Sequence, residues 1–218
     1  MTYGFDFSSL IAASDQGSQC AVRFIEHPGQ DPDLWDQFLV LRYRSFGKWE
    51  GTHPQIGRES DEKDQFSAFV LVVWEEVVIA GCRLIDGERV AINLDPRLVD
   101  SGRHFEISRM LIRSEVKDRA TRERVMFVLC QAVAEYAFEE RGYSDLYSDT
   151  RLPFHIALRR IFGTALREIG LPHDVYKKSG ALTLVPSRVN RADVEVMQQQ
   201  LAARLEQSSR DAAIRQAA

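Results

Sequence analysis

Hydrophobic positions change period along this chain, and each change predicts an element. Residues 69–74 (Phe-Val-Leu-Val-Val-Trp) and 77–85 (Val-Val-Ile-Ala-Gly-Cys-Arg-Leu-Ile) are near-continuous apolar runs flanking Glu75-Glu76. They predict a hairpin of two central strands, apolar on both faces in places. Residues 104–112 alternate Phe105, Ile107, Arg109 and Leu111 against Glu106, Ser108 and Met110, a further strand. Residues 20–25 look strand-like, 89–94 are a weaker candidate, and 145–148 and 181–185 are short strands. Helical spacing runs through 34–46, with Leu34, Phe38 and Leu41, and through 122–141, with Val125, Val128, Leu129, Ala132 and Val133 before Gly142. A second amphipathic helix fills 153–169 between Pro153 and Gly170, and a last one runs over 190–215 with Val194, Met197, Leu201 and Leu205. The glycine-dotted, charged stretch 47–65 reads as a long loop.

Antiparallel strands first and strand-helix-strand units afterwards predict an α/β fold with a single mixed central sheet flanked by helices. The expected organisation is an arm over 1–30, one domain over 31–190 and a C-terminal helix over 191–218.

Composition narrows the class. The 218 residues are 44% hydrophobic and 28% charged, which excludes a disordered or disulfide-framework chain. A net charge of -4 disfavours nucleic-acid partners. No run approaches the roughly 18 apolar residues of a membrane span, and no secretory signal opens the chain. A cytoplasmic location is the simplest reading. Cys20, Cys82 and Cys130 are scattered in apolar surroundings and read as free thiols, with no metal-type spacing to the histidines.

Four clusters carry candidate chemistry. Arg42 and Phe46 lie one helical turn apart, followed by Trp49 and Glu50. The run Glu59-Ser60-Asp61-Glu62-Lys63-Asp64 precedes the first central strand. Arg83 sits inside a strand that otherwise reads as buried, so its guanidinium needs a carboxylate partner. In Phe105-Glu106-Ile107-Ser108-Arg109, alternation separates Glu106 and Ser108 from Arg109, unless a bulge brings both charges to one cleft. Opposite charges balance well enough for a purely structural ion network.

Taken together these residues resemble the acyl-homoserine-lactone synthases, the LuxI-type branch of the GNAT-like N-acyltransferase fold. The correspondence runs through Arg42, Phe46 and Trp49, then Glu59, Asp61 and Asp64, then Gly81 and Arg83, then Glu106, Ser108 and Arg109. It spans roughly residues 34–170. Departures are Lys63 before the last Asp, a short 83–106 segment and a long N-terminal arm.

The resemblance implies a reaction. An acyl group passes from a thioester on acyl carrier protein or coenzyme A to the amine of S-adenosylmethionine. Lactone closure then releases methylthioadenosine, a quorum-sensing signal being the product. No metal or cofactor is implied; S-adenosylmethionine is a substrate. The amine must lose a proton to attack, to Glu106 or Asp64. Asp61 and Asp64 suit the cationic sulfonium and ammonium, and Arg109 or Arg42 the substrate carboxylate. Arg83 fixes a loop acid. An acyl slot is expected near Phe105 and Tyr147, with Met110, Leu146, Phe154 and Leu158, and Ser148 or Thr150 could read an oxygen on the chain. The stretch 113–124 holds no glycine for a pyrophosphate cradle but is locally basic, which would suit an acidic carrier protein. The competing expectations are an N-acyltransferase that stops at the amide and a non-catalytic acyl or carrier-protein binding module.

Overall fold

The computed structural model describes residues 20–50, 57–92, 94–100, 102–177, 180–196 and 199. Its strands are β1 (Cys20–Ile25), β2 (Ser67–Trp74), β3 (Val77–Asp86), β4 (His104–Ile112), β5 (Asp145–Arg151), β6 (Arg167–Glu168), β7 (His173–Lys177) and β8 (Gly180–Asn190). Helix α1 spans Pro32–Glu50, α2 Arg119–Ala134 with a π turn over Glu135–Glu140, and α3 Leu152–Phe162. One sheet has the order β1-β2-β3-β4-β5-β8-β6, with β7 also paired to β8. Only the β4–β5 pairing among these is parallel. The α/β fold with a single mixed sheet is as the pattern predicts.

The two faces of β2 explain the two layers. Phe69, Leu71 and Val73 pack with Leu34, Phe38 and Leu41 of α1. Val70 and Val72 pack on the opposite face with Val125, Leu129 and Ala132 of α2. Burying a side chain of this size contributes about 1.5–3 kcal/mol, so β2 anchors both layers. Helix α1 can sit this close because Gly81 lacks a side chain: a Cβ there would lie 2.8 Å from the Phe38 ring and 2.7 Å from Leu71. Asp31 accepts from Leu34 N at 3.1 Å and starts α1. Glu75 and Glu76 both have positive φ, at 47° and 63°, the backbone of a tight two-residue hairpin turn.

Several boundaries differ from the sequence reading. Helix α1 continues to Glu50, so 47–50 are not loop, and a 3-10 turn occupies Glu62–Phe66. Residues 89–92 form no strand, because Asp86 captures the chain: its backbone oxygen accepts from Arg89 and Val90 N, and its side chain from Glu88 N. Helix α3 stops at Phe162 rather than 169, where Gly163 takes a φ of 60° and redirects the chain into β6. Strand β5 runs on to Arg151, β8 to Asn190, and β7 has no counterpart in the apolar pattern. The arm over 1–19 and the predicted last helix beyond 199 lie outside the described residues. No helix among the described residues is long and apolar enough to cross a membrane.

Candidate active site

The local folding of 59–66 sets the site. Asp61 caps the 3-10 turn by accepting from Lys63 N at 2.9 Å, and Asp64 reaches back to accept from Asp61 N at 3.0 Å. This reciprocal box presents Asp61 and Asp64 to three guanidiniums from α1, β3 and β4. Arg42 pairs with Glu59 and, at 2.8 Å, with Asp64. Arg83 pairs with Asp64 at 2.8 Å and Asp61 at 2.5 Å. Arg109 pairs with Asp61 at 3.4 Å and Glu59 at 3.0 Å. The six groups therefore close a ring of alternating charge, with one longer contact across it from Arg42 to Asp61 at 3.9 Å. Three positive and three negative charges cancel within it.

Burial raises the cost of each charge, and the ring offsets it. Desolvation alone would push the Glu59 carboxyl up, but Arg42 and Arg109 hold it below its ordinary value. Asp61 is likewise lowered against its own burial, chiefly by Arg83. Desolvation works against the Arg42 charge, yet Asp64 and Glu59 keep that guanidinium above its ordinary value.

Arg109 reaches the ring through a bulge. Arg83 pairs with Ser108 and Gly81 with Leu111, so Cys82 faces both Arg109 and Met110. Arg109 adopts a φ of 53°, a left-handed conformation disfavoured for a residue with a side chain. Strict alternation would have turned Arg109 away from Glu106 and Ser108. Ser108 accepts from Arg83 Nε at 2.9 Å, tying β4 to β3 at this point.

Strands β4 and β5 pair only from His104–Asp145 to Ile107–Ser148. Beyond that β4 continues to Ile112 and β5 to Arg151 as separate walls, and a cavity of about 690 Å³ opens between them. It crosses the sheet. On the α1 side it is lined by Phe46, Asp61, Arg83, Glu106, Ser108, Arg109, Asp149 and Arg151. On the α2–α3 side the lining is Ile107, Val133, Leu146, Ser148, Phe154, Leu158 and Leu166. The Phe46 ring lies beneath two guanidiniums, with Arg109 at 5.5 Å and Arg151 at 5.3 Å from its centroid. Glu106 is buried on the charged side, one position before the last β4–β5 pair.

The sequence-selected residues divide accordingly. Phe46, Asp61, Arg83, Glu106, Ser108, Arg109 and Ser148 line the cavity. Arg42, Glu59 and Asp64 stand behind its wall as the buried side of the ring. Asp64 already accepts from Arg42, Arg83 and the Asp61 backbone. Phe105 and Tyr147 do not line the cavity. Phe105 stacks on Tyr143 at 3.9 Å in the core under α2. The Tyr147 hydroxyl accepts from Asp100 N at 3.0 Å, and Arg188 covers the ring. Trp49 stands in the last turn of α1, and its side chain lies outside the described residues.

Sequence reasoning missed Asp149, Arg151 and His173, all on the cavity wall. Asp149 shares Tyr147's face of β5 by simple alternation, and Tyr147 pairs with Glu106, so Asp149 was findable once β5 was extended. His173 sits in β7, which has no apolar signature. Its Nε2 is 3.2 Å from Asp149 Oδ2. Cys130 also lines the cavity, but burial pushes its thiol up to about 12, so it stays protonated at neutral pH. Among the described residues no cluster of three or more His, Cys, Asp or Glu is arranged to hold a metal ion.

No family model and no curated protein matches the sequence. Solved structures do match. The AHL synthase LasI superposes with a TM-score of 0.66 at 20% identity, covering 80% of this chain and 91% of LasI. BjaI, a CoA-dependent acyl-homoserine lactone synthase solved with SAM and isopentyl-CoA, gives 0.64 at 19% identity, covering 84% of this chain and 90% of its own. An acyl-CoA N-acyltransferase from Pseudomonas aeruginosa gives 0.55 at 13% identity over 78% of this chain and 99% of its own. These likenesses show a shared fold.

Proposed function

We propose that the chain is an acyl-homoserine-lactone synthase, moving an acyl group from a thioester to the amine of S-adenosylmethionine and then closing the lactone. The observation that carries this is the position of Glu106: a buried carboxylate lining the charged half of the cavity, one position before the last β4–β5 pair and so beside the gap where the strands part. A zwitterionic, cationic amino acid suits one half and an acyl chain the other. BjaI was solved with SAM and an acyl-CoA, and TofI of the same fold with MTA, which supports the same pair of ligands here.

The chemistry follows from the side chains. An α-amine with a pKa near 8 is largely protonated at neutral pH and attacks only after losing a proton. Glu106 is the base in this reading, since three donors already engage Asp64. Arg109, at the cavity edge of the ring, is the partner for the substrate carboxylate, and Asp61 for its cationic end. Backbone N–H groups beyond Ile107 on the edge of β4 that no longer pairs with β5 are the donors for the oxyanion. Substrate carboxylate then attacks the carbon bearing the sulfonium, expelling methylthioadenosine. The donor is acyl carrier protein or acyl-CoA, and the local basic excess of 113–124, with Lys117 and Arg119 exposed, favours the acidic carrier protein.

Purified protein given S-adenosylmethionine with panels of acyl carrier proteins and acyl-CoA species tests this. Methylthioadenosine and an acyl lactone in equal amounts are expected. Amide without methylthioadenosine would mean an N-acyltransferase that does not lactonise, and acyl binding without turnover a non-catalytic module.

A further inference from the structure

Resting on the acyl-transfer reading above, we propose that Asp149 and His173 form the path by which the proton released in amide formation leaves the buried site. Ammonium and thioester give amide, thiol and one proton. Of the two protons the nitrogen loses, one ends on the leaving sulfur and the other must reach solvent. Glu106 can accept only one and is 2% exposed, so it has no direct contact with bulk water through which to discharge it.

The geometry supplies the next two stations. Asp149 lines the same half of the cavity as Glu106 and feels its charge. Asp149 Oδ1 is buried and has no hydrogen-bond partner among the described residues, while Oδ2 lies 3.2 Å from His173 Nε2. One oxygen is thus unengaged and the other is spent on the imidazole. The His173 side chain is 46% exposed, against 11% for Asp149, so the pair leads outward. Burial pushes the Asp149 carboxyl up, the Glu106 charge adds to this, and His173 works against it. An acid held above its ordinary value takes a proton more readily than its neighbours in the ring, which are held low. The other charged groups on this part of the wall are Arg151 on β5 and the ring members Asp61, Arg83 and Arg109. The three ring members are committed to one another.

The test uses the full chain in weakly buffered solution, with wild-type turnover of S-adenosylmethionine and an acyl donor established first. Absence of wild-type turnover would remove the parent reading and this inference with it. With turnover in hand, His173→Ala is expected to slow kcat by about a hundredfold, leave KM for both substrates unchanged and recover as imidazole is added. Asp149→Asn should slow kcat similarly, keep the wild-type melting temperature or exceed it, and gain nothing from imidazole. A His173→Ala enzyme that runs at the wild-type rate overturns the path. So does a folded His173→Ala or His173→Gln enzyme whose lowered rate imidazole does not raise.

Discussion

Arg42 Nη1 donates to Asp64 Oδ1 at 2.8 Å with both side chains buried, and this contact closes the charge ring on the side away from the cavity. Arg42 therefore acts on the site chiefly through Glu59 and Asp64, with a longer approach to Asp61 at 3.9 Å, and its removal leaves two buried carboxylates each short of a partner. Breaking a buried pair at one end costs about 3–5 kcal/mol. Arg42→Met, close in volume and uncharged, is expected to lose about that much stability by urea unfolding. A loss under about 1 kcal/mol would mean the ring is not coupled as described.

Acid should dismantle the ring. Glu59 and Asp61 are held below their ordinary values of 4.5 and 3.8, so each folded-state pKa is depressed. A depressed acid contributes stability that is present above its unfolded pKa and is lost as pH falls through the folded one. The urea midpoint should hold steady from neutral pH to about 5 and then fall below about 4.5. Glu59→Gln should start lower and show a shallower fall. A wild-type midpoint that is flat down to pH 3 would contradict the depressed values.

How much of this was legible depended on whether local spacing was enough. Glu59, Asp61 and Asp64 sit within six positions of one another, Arg83 announced itself as a charge inside an apolar strand, and the resemblance tied these to Glu106 and Ser108. The fold followed from period changes around 69–85, where burial on both faces leaves little ambiguity. Arg109 was half legible, because alternation sends it to the wrong face and only the bulge, with its φ of 53°, returns it. Phe105 and Tyr147 read as slot residues, but the core claims one and Asp100 the other. His173 was invisible: β7 pairs only at the far edge of β8, and a strand there needs no apolar alternation.

The position of Glu106 predicts a clean separation of activity from stability. Gln keeps the shape and removes the charge, and the ion pairs that tie the three arginines of the ring to Glu59, Asp61 and Asp64 stay in place. Glu106→Gln is expected to lower the rate of amide formation by about 10² to 10⁴ while the melting temperature stays within a few degrees of wild type. Full activity in the variant would exclude Glu106 as the base.

Thr150 gives the acyl slot a feature that an apolar pocket for a plain saturated chain would not need. Its Oγ1 is buried with no hydrogen-bond partner among the described residues, and it lines the cavity on Ser148's face of β5. An unsatisfied buried hydroxyl costs about 1–3 kcal/mol, and Val is nearly isosteric with Thr, so Thr150→Val should stabilise the free protein by about 1 kcal/mol. The same change should cost affinity for any acyl donor whose chain places an oxygen against Thr150, because that oxygen loses its partner. Relative kcat/KM for oxygenated against saturated donors of equal length should therefore fall about tenfold in the variant. If the ratio is unchanged while stability rises, the hydroxyl plays no part in reading the chain, and selectivity along the slot rests on its apolar walls at Leu146, Phe154 and Leu158 alone.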